Sequence, residues 1–62
     1  PIAESTIVAM FMNNRAAEHL SRGDLANAYA YAREAIVQDP RFSGAYSTLG
    51  VIYQRRGHFA MS

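Results

Sequence analysis

A short motif occurs twice in this chain, thirty-four residues apart, and it constrains the fold more than any other feature. Residues 22–26 read Arg-Gly-Asp-Leu-Ala, and residues 56–60 read Arg-Gly-His-Phe-Ala. Each glycine follows one run of apolar residues at helical spacing and precedes another, which is typical of a turn between two helices. A repeat period of this length, with two helices in each unit, indicates a stacked helical repeat.

The two glycine turns and one proline divide the chain into helices. Ser5 or Thr6 is expected to cap the first helix and Asp24 the second, because their side chains can accept a free backbone N–H. Pro40 disfavours helical backbone at the residue before it and so ends the second helix. The predicted helices cover about residues 5–21, 25–38 and 43–56, and Gly57 then ends the third helix before a fourth begins within residues 58–62. We therefore predict one all-α domain over residues 1–62, made of antiparallel helical hairpins.

Small residues predict where the helices approach each other. Ala28, Ala32 and Ala35 share one stripe of the second helix, which allows a neighbouring helix axis to come close. Gly50 lies inside the third helix, where glycine costs about 1 kcal/mol relative to alanine, so we expect a neighbouring helix to pack against it. Tyr46, Tyr53 and Phe59 occupy positions where such a repeat packs its core, so we expect them to be buried, whereas Tyr31 and Phe42 are candidates for exposed or interface contacts.

These positions resemble the tetratricopeptide repeat family, whose pattern is a large residue, Leu-Gly, Tyr, Gly, small Ala positions and Pro. The second unit matches it at Tyr46, Leu49, Gly50, Tyr53, Gly57 and Phe59, and the first at Gly23, Leu25, Ala28, Ala32, Ala35 and Pro40. The first unit departs from the pattern at Met12, Arg15, Ala16 and His19. The match covers about residues 9–62, as one repeat over 9–42 and a partial repeat over 43–62.

The resemblance implies a fragment of an α-α superhelix that acts as a non-catalytic scaffold for protein–protein interaction. The first and third helices would line a concave groove that binds a peptide or a partner domain, with the second helix on the convex side. Position by position, the implied groove residues are Asn13, Asn14, Ala17, Leu20, Ser21, Ser47, Thr48, Val51, Gln54 and Arg55. A subset of the family grips a C-terminal carboxylate with Lys and Asn, where this chain has Asn13 and Ala17, so we expect no binding of chaperone tails in that manner.

Composition argues against several other classes of function. Six arginines against five acidic residues give a net charge of +1, too little for a field that attracts nucleic acid. Without cysteine there is no disulfide, thiol nucleophile or cysteine-based metal site. No apolar run reaches the roughly 18 residues that a membrane helix requires, and no signal-peptide pattern is present in this stretch. We expect no cofactor, metal or catalytic residue, and the sequence does not predict a compartment.

Two polar features have alternative interpretations. His19 lies on an apolar stripe, so we expect a half-buried histidine bonded to a neighbour rather than a ligand or a general base. Arg55 and Arg56 either bind an acidic tail through forked hydrogen bonds or lie exposed near a helix C-terminus, where the helix dipole favours them.

Two further functions are compatible with the sequence. Self-association is one, through an open helix face with Tyr29, Ala32 and Ile36 on one side and Ile52 on the other. The other is an accessory repeat region of a larger bacterial enzyme, because the Asn-Asn-Arg-Ala-Ala run at residues 13–17 is similar to repeats that trail transglutaminase-like domains. The chain starts with Pro1, and we expect it to be a piece of a longer protein.

Overall fold

The computed structural model describes residues 1–61, and the side chains of residues 1–57. This part of the chain forms three α-helices: α1 (Glu4–Ser21), α2 (Leu25–Gln38) and α3 (Ser43–Met61). The prediction of an all-α fold built from antiparallel hairpins is confirmed. Helices α1 and α2 pack most extensively on each other, and α3 contacts both. None of these helices is long and apolar enough to cross a membrane.

The first turn forms as the sequence predicts. Gly23 has a φ of 78°, the left-handed conformation that a residue with a Cβ adopts only at a cost. Its N–H donates to the Leu20 carbonyl at 3.0 Å, and the Asp24 N–H donates to the His19 carbonyl at 2.9 Å. This pair of bonds is the Schellman pattern, which satisfies the last carbonyls of a helix. Asp24 then caps α2, since its carboxylate accepts the N–H of Asn27 at 3.2 Å.

The predicted cap of α1 is wrong by two or three residues, because the N-cap residue is Ala3. The helix begins at Glu4, after Ala3, whose carbonyl accepts the N–H of Thr6 at 3.0 Å. Thr6 lies inside the first turn of α1, and its hydroxyl donates to the carboxylate of Asp39, in the loop between α2 and α3. Asp39 also accepts the N–H of Arg41 at 3.0 Å, so this one carboxylate ties the loop to α1.

The core consists almost entirely of alanine. Among the described side chains the fully buried residues are Ala9, Ala16, Ala28, Ala32, Ala35, Ala45 and Ile52. The molecule measures 18 and 14 Å across its two short axes, so it is at most two helices thick and buries only side chains that lie between helices. The predicted small-residue stripe of α2 is therefore confirmed as the contact surface, and Ile52 is the one large side chain enclosed there.

The predicted end of α3 is wrong. Gly57 lies inside a continuous helix that runs to Met61, and Gly23 is the only residue with positive φ among residues 1–61. The physical difference between the two motifs is the residue after glycine. Asp24 accepts backbone N–H groups and starts a new helix, whereas His58 is a poor N-cap residue, so nothing in the sequence favours leaving the helix. The predicted core role of Phe59 falls outside the described side chains.

The predicted core positions of Tyr46 and Tyr53 are wrong. Tyr46 and Tyr53 are 49% and 53% exposed, whereas Tyr31 and Phe42 pack against the two core clusters. A Cβ added to Gly50 would meet no described atom within 4 Å, so the predicted close helix contact at this glycine is also absent from residues 1–57. The exposure of Tyr46 and the empty space at Gly50 have one cause: the outer side of α3 has no helix packed against it in the described part of the chain.

Candidate interaction surface

The implied groove lies on one side of the molecule, where α1 and α3 run next to each other. We call the ten groove residues given above the α1/α3 face. At its centre the Thr48 hydroxyl donates to the Asn13 side-chain oxygen at 2.7 Å and also approaches the Gly44 carbonyl at 3.1 Å. Asn13 and Thr48 are half-buried. The structure therefore brings these two predicted residues into direct contact. The side-chain oxygen of Asn13 accepts this bond within the protein.

Gly44 is a residue of this contact that the sequence interpretation did not identify. A Cβ at Gly44 would lie 2.7 Å from the Phe42 ring and 3.2 Å from the side-chain nitrogen of Asn13. Glycine at the second position of α3 therefore lets the start of this helix sit against α1 and leaves room for Asn13. The only sequence signal was a glycine where a better helix former would be expected.

Arg55 makes the second link between α1 and α3. Its guanidinium donates to the Leu20 carbonyl at 3.1 Å, near the end of α1. That carbonyl also accepts the N–H of Gly23, so Arg55 adds a cation to the negative end of the α1 dipole. The sequence interpretation associated the arginine pair with the end of its own helix, but α3 continues beyond it.

The other predicted groove residues are distributed around this framework. Leu20 is half-buried against a core cluster, and the Ser21 hydroxyl donates to the Glu18 carbonyl at 2.7 Å. By helical spacing Ala17 and Val51 flank the Asn13–Thr48 contact, and the same spacing adds Met10, which the prediction missed. The exposed members of the α1/α3 face are Asn14, Ala17, Ser21, Ser47, Val51, Gln54 and Arg55. Ser47 and Gln54 lie at the outer edge of α3 rather than at the centre of the face.

A second cluster, which the sequence interpretation missed, lies on the opposite side of α3, where α3 packs on α2. We call Tyr29, Arg33, Tyr53 and Arg56 the Tyr–Arg cluster. The rings of Tyr29 and Tyr53 meet edge to face with centroids 6.1 Å apart. Arg33 lies over the Tyr29 ring at 5.8 Å and donates to its hydroxyl at 3.2 Å. The i, i+4 spacing of Tyr29 and Arg33 was the available signal.

The Tyr–Arg cluster is electropositive. The hydrogen bond from Arg33 holds the pKa of Tyr29 below its ordinary value, because a cationic donor stabilises the phenolate. Beside the two tyrosines is an open depression lined by Leu25, Ala26, Tyr29 and Arg56. The side of the cluster that faces solvent therefore combines apolar surface with positive charge.

His19 occupies the third side of the molecule, between α1 and α2. Its ring stacks on Tyr31 with centroids 5.3 Å apart, and its Nδ1 lies 3.2 Å from a carboxylate oxygen of Asp24. The pKa of Asp24 is lowered, chiefly by the side-chain and backbone N–H groups of Asn27 and to a smaller extent by His19. His19 thus has the half-buried, partnered position that the sequence predicts. Within residues 1–57 no three His, Cys, Asp or Glu side chains cluster as a metal site would require.

Comparisons of this chain with protein-family models, with curated proteins and with solved structures found no match.

Proposed function

We propose that this chain is a non-catalytic protein-interaction module, which resembles the tetratricopeptide repeat in its first hairpin and binds a peptide segment of a partner on the α1/α3 face. The observation that carries the proposal is the pair of bonds that join α1 to α3, Thr48 to Asn13 and Arg55 to the Leu20 carbonyl. A surface held by bonds at its centre and near the end of α1 is pre-organised, which lowers the cost of binding.

The exposed residues of the face suit an extended, largely uncharged peptide. Ala17, Met10 and Val51 provide apolar area, and Asn14 provides a carboxamide that can both donate to and accept from a peptide backbone. Arg55 is the only cation of the ten-residue set, and its guanidinium is engaged with α1. Binding should therefore depend on shape and backbone hydrogen bonds rather than on charge.

Selection from a random peptide library tests the proposal without knowledge of the natural partner. Peptides enriched on the wild-type chain are titrated into ¹⁵N-labelled protein, and amide shifts are mapped by NMR. We expect the shifts to concentrate on Asn14, Ala17, Thr48 and Val51. Ala17→Glu should abolish the binding, because a charged side chain would fill the centre of the face.

Ala30→Glu is the matched control, because Ala30 is likewise an exposed alanine in mid-helix but lies on α2. It should leave binding unchanged while circular dichroism shows that both variants keep their helix content. The proposal would be contradicted if no selected peptide shifted the α1/α3 face, or if the peptides that do shift it bound the Ala17→Glu variant as well as the wild type.

Self-association is a second candidate, but through residues other than those predicted. Ala32 and Ile52 are fully buried and Tyr29 and Ile36 are half-buried, because α2 and α3 cover each other there, so the predicted open face does not exist. Ile7 and Phe11, one turn apart on α1, are instead 55% and 59% exposed. If this surface joins two copies, light scattering will give a dimer mass for the wild type and a monomer mass for Phe11→Ser.

A further inference from the structure

We propose that the Tyr–Arg cluster is a second docking site, and that it binds an acidic peptide segment of a partner protein. The site is formed by α2 and the opposite side of α3, and it shares no residue with the α1/α3 face. The proposal therefore stands or falls independently of the proposed function. Its support comes from the distribution of charge, from the spacing of the two arginines and from the tyrosine pair between them.

The charges of the chain are segregated, and this leaves the two arginines without carboxylates. Helix α3 contains no acidic residue. Four of the five acids have partners away from the cluster: Glu18 with Arg15, Asp24 with Asn27, Glu34 with Gln38 and Asp39 with Thr6. The fifth, Glu4, lies in the first turn of α1. Among the described side chains neither Arg33 nor Arg56 forms an ion pair.

The spacing of the arginines selects an extended peptide with two carboxylates. Arg56 lies beside Leu25, Ala26 and Tyr29, and Arg33 is eight residues farther along α2 than Leu25 and four farther than Tyr29. At a rise of 1.5 Å per residue these separations are about 6–12 Å along the helix. An extended peptide advances about 3.3 Å per residue, so carboxylates at positions i and i+4 are separated by about 13 Å and point to the same side. The long side chains of the two arginines can span the remaining difference.

The tyrosines supply a contact for the residue between the two carboxylates. Side chain i+2 of an extended peptide points to the same side as i and i+4. It would lie over Tyr29 and Tyr53 and beside the depression, where apolar surface is available for an apolar or aromatic side chain. Arg33 is already oriented by its bond to the Tyr29 hydroxyl, and a guanidinium has five N–H donors, so others remain for a carboxylate. The expected ligand is an acidic–x–apolar–x–acidic segment.

A synthetic peptide of this pattern, with two glutamates four positions apart and a leucine midway, tests the proposal. Titrated into the ¹⁵N-labelled chain, it should shift the amides of Tyr29, Arg33 and Tyr53. The same peptide with glutamines in place of both glutamates should cause no such shifts. Raising the salt concentration should weaken the binding, because the ion pairs are exposed.

Charge-removing variants identify the cations. Arg33→Gln and Arg56→Gln should each weaken binding about two- to five-fold, which is what an exposed ion pair contributes. Unlike Arg33 and Arg55, Arg56 makes no side-chain hydrogen bond within residues 1–57, so its substitution should leave the hydrogen bonds of the fold intact. Arg15→Gln is the matched control, since it removes the same charge on α1 and should leave the affinity unchanged.

Three outcomes would overturn the proposal. The first is an equal loss of affinity for the acidic peptide in Arg15→Gln, which would mean that binding depends on the net charge of the chain and not on the position of the arginines. The second is a glutamine peptide that binds as well as the glutamate peptide. The third is a concentration-dependent shift of the same amides without peptide, which would mean that a second copy of the chain covers this surface. The Ala17→Glu variant should bind the acidic peptide normally, so that failure at one face is distinguished from failure at the other.

Discussion

Replacing Gly50 or Gly57 of α3 by alanine distinguishes the observed helix from the predicted turn by the sign of the change in stability. Gly50 and Gly57 both lie inside α3, with φ below zero, and a Cβ at either position would meet no described atom within 4 Å. Alanine is about 0.5–1 kcal/mol more favourable than glycine inside a helix. Gly50→Ala should therefore stabilise the protein by up to about 1 kcal/mol. Gly57→Ala should do so by a smaller amount, because it lies in the last turns of the helix.

Thermal unfolding followed by circular dichroism measures these changes directly. For a domain of this size about 1 kcal/mol raises the melting temperature by roughly 4–8 °C. Gly23→Ala is the control of opposite sign, because its left-handed φ of 78° should cost about 1–2 kcal/mol with a side chain. A melting temperature that falls for Gly57→Ala, as it does for Gly23→Ala, would refute the continuous helix and restore a turn at residue 57. A fall for Gly50→Ala would mean that a helix does pack against this glycine.

Three further perturbations test the core and the loops. Ile52→Ala removes the one large fully buried side chain of the described residues and should cost about 2–5 kcal/mol by urea unfolding, which is most of the stability available to so small a domain. Ala28→Leu should cost about 1–3 kcal/mol in the same assay, because the helix contact at this alanine has no space for a larger side chain; a neutral result would show that the contact is loose. The pKa values of Asp24 and Asp39 are lowered in the folded protein, chiefly by Asn27 and by Thr6 respectively, so both carboxylates stabilise it at neutral pH. That stabilisation should decline as the pH falls from about 4, the usual unfolded value, through the lower folded pKa values, and Asp39→Asn should flatten this part of the melting-temperature profile.

The parts of the fold that the sequence predicts correctly are those set by local chemistry. Gly23 has the one conformation that favours glycine, Asp24 is an N-cap by type and Pro40 stops a helix, so the turn and the bounds of α2 follow from the residues themselves. Gly57 carries no such information, because glycine is tolerated both in a turn and in a helix. The residue that follows it decides the outcome, and His58 does not start a helix as Asp24 does.

The burial of the aromatic residues could not be predicted because apolar spacing identifies a face but not what covers it. Tyr46 and Tyr53 have the spacing of a buried stripe, yet they are half exposed, and Tyr53 meets the hairpin only through the edge-to-face contact with Tyr29. Tyr31 is half-buried because it lies near the α1 contact, where His19 stacks on it. The number of helices that surround each element is a property of the whole fold, and a pattern within one helix does not contain it.

The side-chain contacts of the candidate surfaces could not be predicted either, because they depend on which helices pack together. The family resemblance placed Asn13 and Thr48 in one groove, but the bond between them depends on the close approach of α1 and α3 at Gly44. That approach joins residues thirty-five positions apart in the chain, and no local pattern predicts it. The Tyr–Arg cluster likewise requires the packing of α2 on α3. The sequence indicates only the Tyr29–Arg33 pair, which has i, i+4 spacing within α2.

Arg55 and Arg56 show why adjacent residues of one helix have to be tested separately. Consecutive residues of an α-helix point about 100° apart, since there are 3.6 residues per turn. Arg55 therefore reaches the Leu20 carbonyl on the α1 side, while Arg56 lies beside Leu25 and Ala26 on the α2 side. Arg55→Gln should lower the melting temperature slightly and weaken peptides selected for the α1/α3 face, yet leave the acidic peptide bound. Arg56→Gln should weaken the acidic peptide and change neither the melting temperature nor the selected peptides. If both substitutions had the same effect on both ligands, the two surfaces would not be separate, and α3 would present one continuous binding site.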